Sequence, residues 1–226
     1  MTSKLLETLS HAILTGYRDT RSPHQSELAG QPGVVELVNQ ALSSGIAVDT
    51  ILQDGMVSGM EVVGNKFSNG EYFLPDLLMS AQAMKAGMQI LEPLLKGANV
   101  RRRGKVIIGT VQGDIHDIGK NLVSVILEGG GFEILDLGVD VPAAKFVETA
   151  GKHPEAVVGM SALITTTRES MRATLEQIRG AGLSNKVIIG GAVVTRAYAD
   201  EIGADGFTKD AGKVVNLVRE LQAVET

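Results

Sequence analysis

The pentapeptide Lys-Val-Ile-Ile-Gly occurs twice in this chain, at residues 105–109 and again at 186–190. A short β-branched run that is apolar at every position suits a strand buried on both faces, which is the habit of parallel sheets. Two further runs, FEILDLG at 132–138 and AVVGMSAL at 156–163, read as strands, and Asp205-Gly206-Phe207 reads as a weak fifth. Helical patterns separate them. One spans 118–128 and is closed by Gly129, Gly130 and Gly131. One is opened by Pro142, one carries Met171, Leu175 and Ile178 on one side, a short one precedes Asp205, and the last carries Val214, Val218 and Leu221.

Strand–helix alternation of this kind gives a parallel sheet with helices on both faces. The expected class is therefore α/β, with residues 105–226 forming a flavodoxin-like (Rossmann-like) five-stranded parallel sheet. In such folds ligands bind beyond the carboxyl ends of the strands, near the switch point.

The preceding part, residues 1–98, reads as an N-terminal helical bundle. Val34, Val38, Ala41 and Leu42 fall at helical spacing, and the segment from Asp49 to Phe67 continues the pattern. Leu77, Ala81, Met84, Met88, Leu91 and Leu95 form one apolar stripe, and Pro75 fits a first helical turn. A polar stretch, TRSPHQSELAGQPG, reads as a loop, and residues 99–104 with Arg101, Arg102 and Arg103 read as a linker and hinge.

A net charge of −5 argues against nucleic acid as a partner. No run is apolar and long enough to suggest a membrane span, and the start lacks a signal peptide's layout, so the cytoplasm is the expected compartment. With no cysteine, disulfides, thiolate zinc sites and iron–sulfur clusters are excluded.

Three loops at the expected binding edge carry polar chemistry. The first, Val111-QGDIHDIG-Lys120, holds Asp114, His116 and Asp117. Asp117 stands where a helix N-cap belongs. Asp114 and His116 are one residue apart, so the carboxylate can bond one ring nitrogen and leave the other for a metal; the pair also fits a plain polar turn. His11, His24 and His153 have no companion at ligand spacing. A single protein ligand makes sense where a macrocycle fills most of the coordination sphere, which points to a corrinoid or a haem. The second loop is Ser161-ALITTT-Arg168, with more hydroxyls than capping requires. The third is Gly190-Gly191, where a ligand can approach the backbone, or where the chain simply turns tightly.

Asp114-x-His116-x-x-Gly119, Ser161-x-Leu163 and Gly190-Gly191, at these separations, resemble the cobalamin-binding signature of methionine synthase, corrinoid methyltransferase proteins and some mutases. The stretch GNKFSNGEYFLPDLLMSAQAMKAGM resembles the helical cap of the methyltransferase branch, so the likeness runs from about residue 33 onward. It implies cobalamin or a related corrinoid as cofactor, with cobalt passing through a methylcobalamin form. It implies His116 as the lower axial ligand to cobalt in place of the cofactor's own base, Asp114 as that histidine's hydrogen-bond partner, and Thr167 as the hydroxyl completing the relay. Gly119, Ser161, Leu163, Gly190 and Gly191 would line the slot for the cofactor's displaced nucleotide tail, and Asp117, Ile118 and Thr165 would also contact the cofactor. Phe67, Leu74 and Leu77 would cover the corrin from above.

The function implied is a methyl carrier that works between a substrate-specific methyltransferase and a second methyltransferase, with an acceptor such as tetrahydrofolate or coenzyme M. A reductive activator is the third expected partner. The chain is not expected to be catalytic alone. Two alternatives share the signature. A radical-isomerase subunit would cover the corrin with a barrel rather than helices. A cobalamin-dependent sensor would carry a DNA-binding module, for which the chain has neither length nor positive charge. A receiver domain needs an aspartate ending the third strand, and AVVGMSAL has none.

Overall fold

The computed structural model describes residues 2–22, 30–95 and 104–223. The described chain falls into two compact units, one built from helices and one around a sheet. Arg101, Arg102, Arg103 and residues 23–29 of the polar stretch, which include His24, lie outside the described residues.

The helical unit holds α1 (Thr2–Leu14), α2 (Val34–Ser43), α3 (Val48–Thr50), a π-helical stretch (Ile51–Val57), α4 (Ser58–Ser68) and α5 (Leu74–Leu95). The sequence pattern from Asp49 to Phe67 predicts an unbroken helix. The backbone does run on from Val48 to Ser68, but it widens by one residue per turn across Ile51–Val57. Ile51, Leu52, Met56 and Val57 are all buried, so the wider turn brings apolar side chains inward that regular spacing would spread around the helix. In α5 the expected stripe is present: Leu77, Met84 and Leu91 are buried, and Ala81 and Met88 are half-buried. Pro75 occupies the first turn of α5, where its missing N–H leaves no intrahelical bond unmade.

The second unit contains β1 (Lys105–Thr110), α6 (Ile118–Gly129), β2 (Glu133–Asp136), α7 (Ala143–Lys152), β3 (Val157–Ser161), α8 (Thr165–Gly180), β4 (Val187–Gly190), α9 (Arg196–Ile202), β5 (Gly206–Phe207) and α10 (Val214–Ala223). The strands form one sheet in the order β2-β1-β3-β4-β5, and every pairing is parallel. This is the flavodoxin-like doubly wound order, with its switch point between β1 and β3. Both copies of the repeated pentapeptide form strands, in β1 and β4, on either side of β3.

The two-residue period of a strand divides β1 between two environments. Ile107 joins a core with Phe146, Met171, Leu175 and Ile178 on one face of the sheet. Val106 and Ile108 face the other way and line a cavity that also meets α6 and α10. Two strands are shorter than the sequence suggests. β2 stops at Asp136, before Gly138 takes a left-handed backbone with φ 88°. β3 stops at Ser161, because the chain beyond it turns away from the ladder into the candidate site. Among the described residues, no helix is long and apolar enough to cross a membrane.

Candidate functional site

The loop joining β1 to α6 leaves the sheet at the switch point and is tied down before it reaches α6. Thr110 is fully buried, and its hydroxyl donates to the carbonyl of His116 at 2.9 Å. The N–H of Asp114 donates to the Val111 carbonyl at 3.1 Å, closing a turn. This turn points the Asp114 carboxylate inward and leaves the next residues facing out.

Asp114 is 1% exposed, so its charge must be met by neighbours. It is met in full. Oδ1 accepts the backbone N–H of His116 at 3.0 Å and lies 2.7 Å from His116 Nδ1. Oδ2 accepts the backbone N–H of Leu163 and the hydroxyl of Thr167, both at 2.7 Å. Two bonds to each oxygen use the capacity of an ionised carboxylate. Burial pushes the Asp114 carboxyl up, but the bonds from Leu163, His116 and Thr167 outweigh it and hold the group well below the usual carboxylate range.

An ionised carboxylate can only accept, so His116 Nδ1 carries the proton on that side. A neutral ring then has its lone pair on Nε2. The His116 side chain is 49% exposed. The arrangement is a donor nitrogen of fixed tautomer, oriented by a buried anion, with access from outside. Metal-bound histidines are commonly oriented in this way. Among the described residues no group of three or more His, Asp or Glu side chains is placed to hold a metal ion. His116 is therefore suited to serve as one axial ligand to a metal whose other positions a macrocycle fills.

Apolar side chains stand exposed on the same loops. Ile115 and Ile118 flank His116 and are 74% and 76% exposed. Val139, on the loop after β2, and Leu163 and Ile164, on the loop after β3, are also exposed. Such a cluster around one polar ligand suits the broad, largely apolar face of a macrocycle and would keep water from the coordinating nitrogen.

Beside the loop, on the face of the sheet under α6 and α10, lies a cavity of about 290 Å³. Val106, Ile108, Leu127, Met160, Ile189 and Leu217 supply most of its wall. Gly119, Ser161, Gly190 and Gly191 also line it, so four of the five residues that the resemblance assigns to a tail slot meet in one place.

The remaining sequence-predicted residues fall elsewhere. Leu163 is not in the cavity wall; its backbone amide holds Asp114 and its side chain is exposed. Asp117 precedes α6, but its carboxylate accepts from the Asn121 side-chain amide at 3.0 Å. Of the three threonines, Thr167 alone is buried; Thr165 and Thr166 are exposed in the first turn of α8. Thr167 carries one proton for two acceptors, Asp114 Oδ2 at 2.7 Å and the Ile164 carbonyl at 2.9 Å, and the charged oxygen attracts it more strongly. In the helical unit Leu77 is fully buried. Phe67 is half-buried and Leu74 exposed. Phe73, which the sequence reading passed over, is 67% exposed. The reading also missed Asp140, a non-glycine residue with φ 50°.

Known proteins align with the chain in the same two parts. A family model described as a B12 binding domain matches residues 104–216, and a second B12 binding domain model matches residues 31–92. A corrinoid protein of Desulfitobacterium hafniense is 38% identical, covering 98% of this chain and 99% of its own. Dimethylamine corrinoid protein 1 of Methanosarcina mazei is 39% identical and aligns over 98% of each. Trimethylamine corrinoid protein 2 of Methanosarcina acetivorans is 42% identical over 92% of this chain and 95% of its own. Among solved structures, a cobalamin-binding protein from Desulfitobacterium hafniense superposes with a TM-score of 0.75 at 31% identity, covering 95% of this chain and 97% of its own. The methanol:cobalamin methyltransferase complex of Methanosarcina barkeri contains a chain that superposes at 0.82 with 27% identity, over 97% of this chain and 80% of that one.

Proposed function

Because this chain belongs to the B12-binding family of corrinoid proteins, we propose that it is a methyl carrier, receiving a methyl group from one methyltransferase and presenting it to another. The observation that carries this reading is the His116–Asp114 pair: a half-exposed imidazole whose Nδ1 lies 2.7 Å from a buried carboxylate, which leaves the lone pair on Nε2. Bound there, a corrinoid supplies a cobalt centre able to accept and release a methyl group.

The chain's own residues do the rest. His116 Nε2 would be the nitrogen that this chain offers to the corrinoid's cobalt. Asp114 holds the proton on Nδ1 and raises the electron density that the opposite nitrogen offers. Leu163 N–H and the Thr167 hydroxyl keep Asp114 ionised and stationary. Ile115, Ile118 and Leu163 would offer exposed apolar surface to the corrinoid beside His116. The cavity bounded by Gly119, Ser161, Gly190 and Gly191 takes the cofactor's tail. The names of the relatives, drawn from dimethylamine, trimethylamine and methanol systems, favour a small one-carbon compound as the methyl source. The partners on this reading are a donor-specific methyltransferase, a second methyltransferase with an acceptor such as tetrahydrofolate or coenzyme M, and a reductive activator.

The test is to load purified apoprotein with cob(III)alamin, remove excess, reduce to cobalt(II) and record absorption and EPR spectra. Wild type is expected to hold the corrinoid stoichiometrically, with hyperfine splitting from one histidine nitrogen. His116→Ala is expected to lose that splitting and to bind on the order of 10–100-fold more weakly. No retention by wild type would overturn the carrier reading. Retention with the cofactor's own base still on cobalt would remove His116 and Asp114 from these roles.

A further inference from the structure

The β1–α6 loop is held at three places. The first is Thr110, through the carbonyl of His116 at 2.9 Å. The second is the β3–α8 segment, where Leu163 and Thr167 grip the Asp114 carboxylate. The third is Asp140, on the loop between β2 and α7, and its role is not accounted for by the ligand relay.

Asp140 holds the Gly113–Asp114 dipeptide at both of its ends. Its carboxylate Oδ1 accepts the Gly113 N–H at 2.7 Å. Its own N–H donates to the Asp114 carbonyl at 2.8 Å. To do both, it adopts φ 50°, a left-handed conformation that aspartate tolerates better than most residues but that still costs energy. The next residue fixes its position: the Val141 N–H donates to the Thr110 carbonyl at 3.0 Å, and Val141 forms a parallel bridge with Val111. A strained, exposed residue with both its side chain and its amide spent on one neighbouring turn is the kind of outlier that marks a constraint on a site.

We propose that Asp140 is a positioning residue for the candidate ligand: its two-point hold on the Gly113–Asp114 turn sets where the Asp114 carboxylate sits and hence which His116 nitrogen faces outward. The proposal rests on the carrier reading for the identity of the ligand, but not for the geometry. Asp140 acts through the backbone and touches neither ring nor carboxylate. Glycine at this position adopts φ 50° without cost but has no side-chain acceptor. Asparagine keeps an acceptor at the same reach and also tolerates the left-handed region.

Two readouts test it, with wild type, Asp140→Gly and Asp140→Asn. The first uses apoprotein: nitrogen-15 NMR of the His116 ring reports the proportion of Nδ1–H tautomer. Wild type and Asp140→Asn are expected to be held in the Nδ1–H form, and Asp140→Gly to become a mixture. The second is EPR after cob(II)alamin loading, where Asp140→Gly is expected to lose part of the histidine hyperfine signal and to retain corrinoid about ten-fold less tightly, at the low end of losses seen when groups behind a metal ligand are removed. A residue that only stabilised the fold would shift the melting temperature and leave the tautomer alone. A wild-type tautomer population in Asp140→Gly would overturn the proposal. If wild type itself retains no corrinoid, the carrier reading fails while the NMR comparison still decides the role of Asp140.

Discussion

Replacing Asp114 by alanine is expected to cost about 3 kcal/mol of stability, because it strips the acceptor from a buried backbone N–H and a buried hydroxyl. The Leu163 N–H has no other acceptor within the site's bonds, whereas Thr167 retains the Ile164 carbonyl at 2.9 Å. His116 loses both of its bonds to Oδ1 and with them its fixed tautomer. Urea unfolding of the apoprotein measures the first effect; a loss below about 1 kcal/mol would mean the carboxylate is not desolvated as the geometry requires. Corrinoid affinity measures the second, with a fall on the order of 10–100-fold expected.

Asp114→Asn is the sharper comparison. Its carbonyl oxygen can serve Leu163 and Thr167, which leaves the amide N–H₂ facing His116. Nδ1 then becomes the acceptor, and the ring proton moves to Nε2, closing the nitrogen that the wild type presents.

The pH dependence follows from the same bonds. Asp114 has a folded pKa lowered from its ordinary value, so its contribution to stability is fully present above the unfolded value of about 3.9 and is lost as pH falls below it toward the folded value. Acid titration of wild-type stability is therefore expected to steepen below about pH 4, and the steepening is expected to weaken in Asp114→Ala.

Gly191→Ala is expected to be at least as damaging, at more than about 4 kcal/mol. A Cβ at residue 191 would stand 1.9 Å from the Ala162 carbonyl oxygen, and both partners are backbone, so no side-chain rotation relieves the overlap. Residue 191 also has φ 124°, where an L side chain is strained whatever the space. Gly190→Ala is the control. There the nearest atom to a new Cβ is the Thr208 carbonyl oxygen at 3.9 Å, an ordinary contact. It is expected to change stability by less than about 1 kcal/mol while narrowing the cavity. Thermal unfolding of the two variants separates them; equal shifts would show that the glycines serve one purpose rather than two.

The two glycines also mark where sequence reasoning reaches its limit. Their spacing pointed to a ligand-facing turn, and both do line the cavity. Residue type alone could not tell that Gly191 is required by its own neighbour Ala162, because that crossing is made by a residue 29 positions earlier (191 − 162). The strands were legible because burial on both faces demands unbroken β-branched runs. The parallel sheet was legible because strands alternating with helices connect by crossovers. Asp114 and His116 were legible because their pairing is local. The grip on Asp114 was only half visible: a threonine hydroxyl has a residue type to notice, but the Leu163 amide belongs to the backbone and leaves no mark in the sequence. Asp140 was hidden for a related reason, since only its φ distinguishes it from any surface aspartate. The π-helical turn at Ile51–Val57 was invisible because its residues satisfy ordinary helical spacing on either side.

The bonds that hold Asp114 span 49 residues to Leu163 and 53 to Thr167. During synthesis, then, Asp114 and His116 leave the ribosome well before the groups that orient them. A nascent chain ending short of Leu163 has Asp114 and His116 but neither of the two groups that hold Asp114 Oδ2, and β3 must already lie against β1 before those bonds can form. On the carrier reading, the hold on the cofactor is therefore expected to be complete only once β3 and the start of α8 have been made.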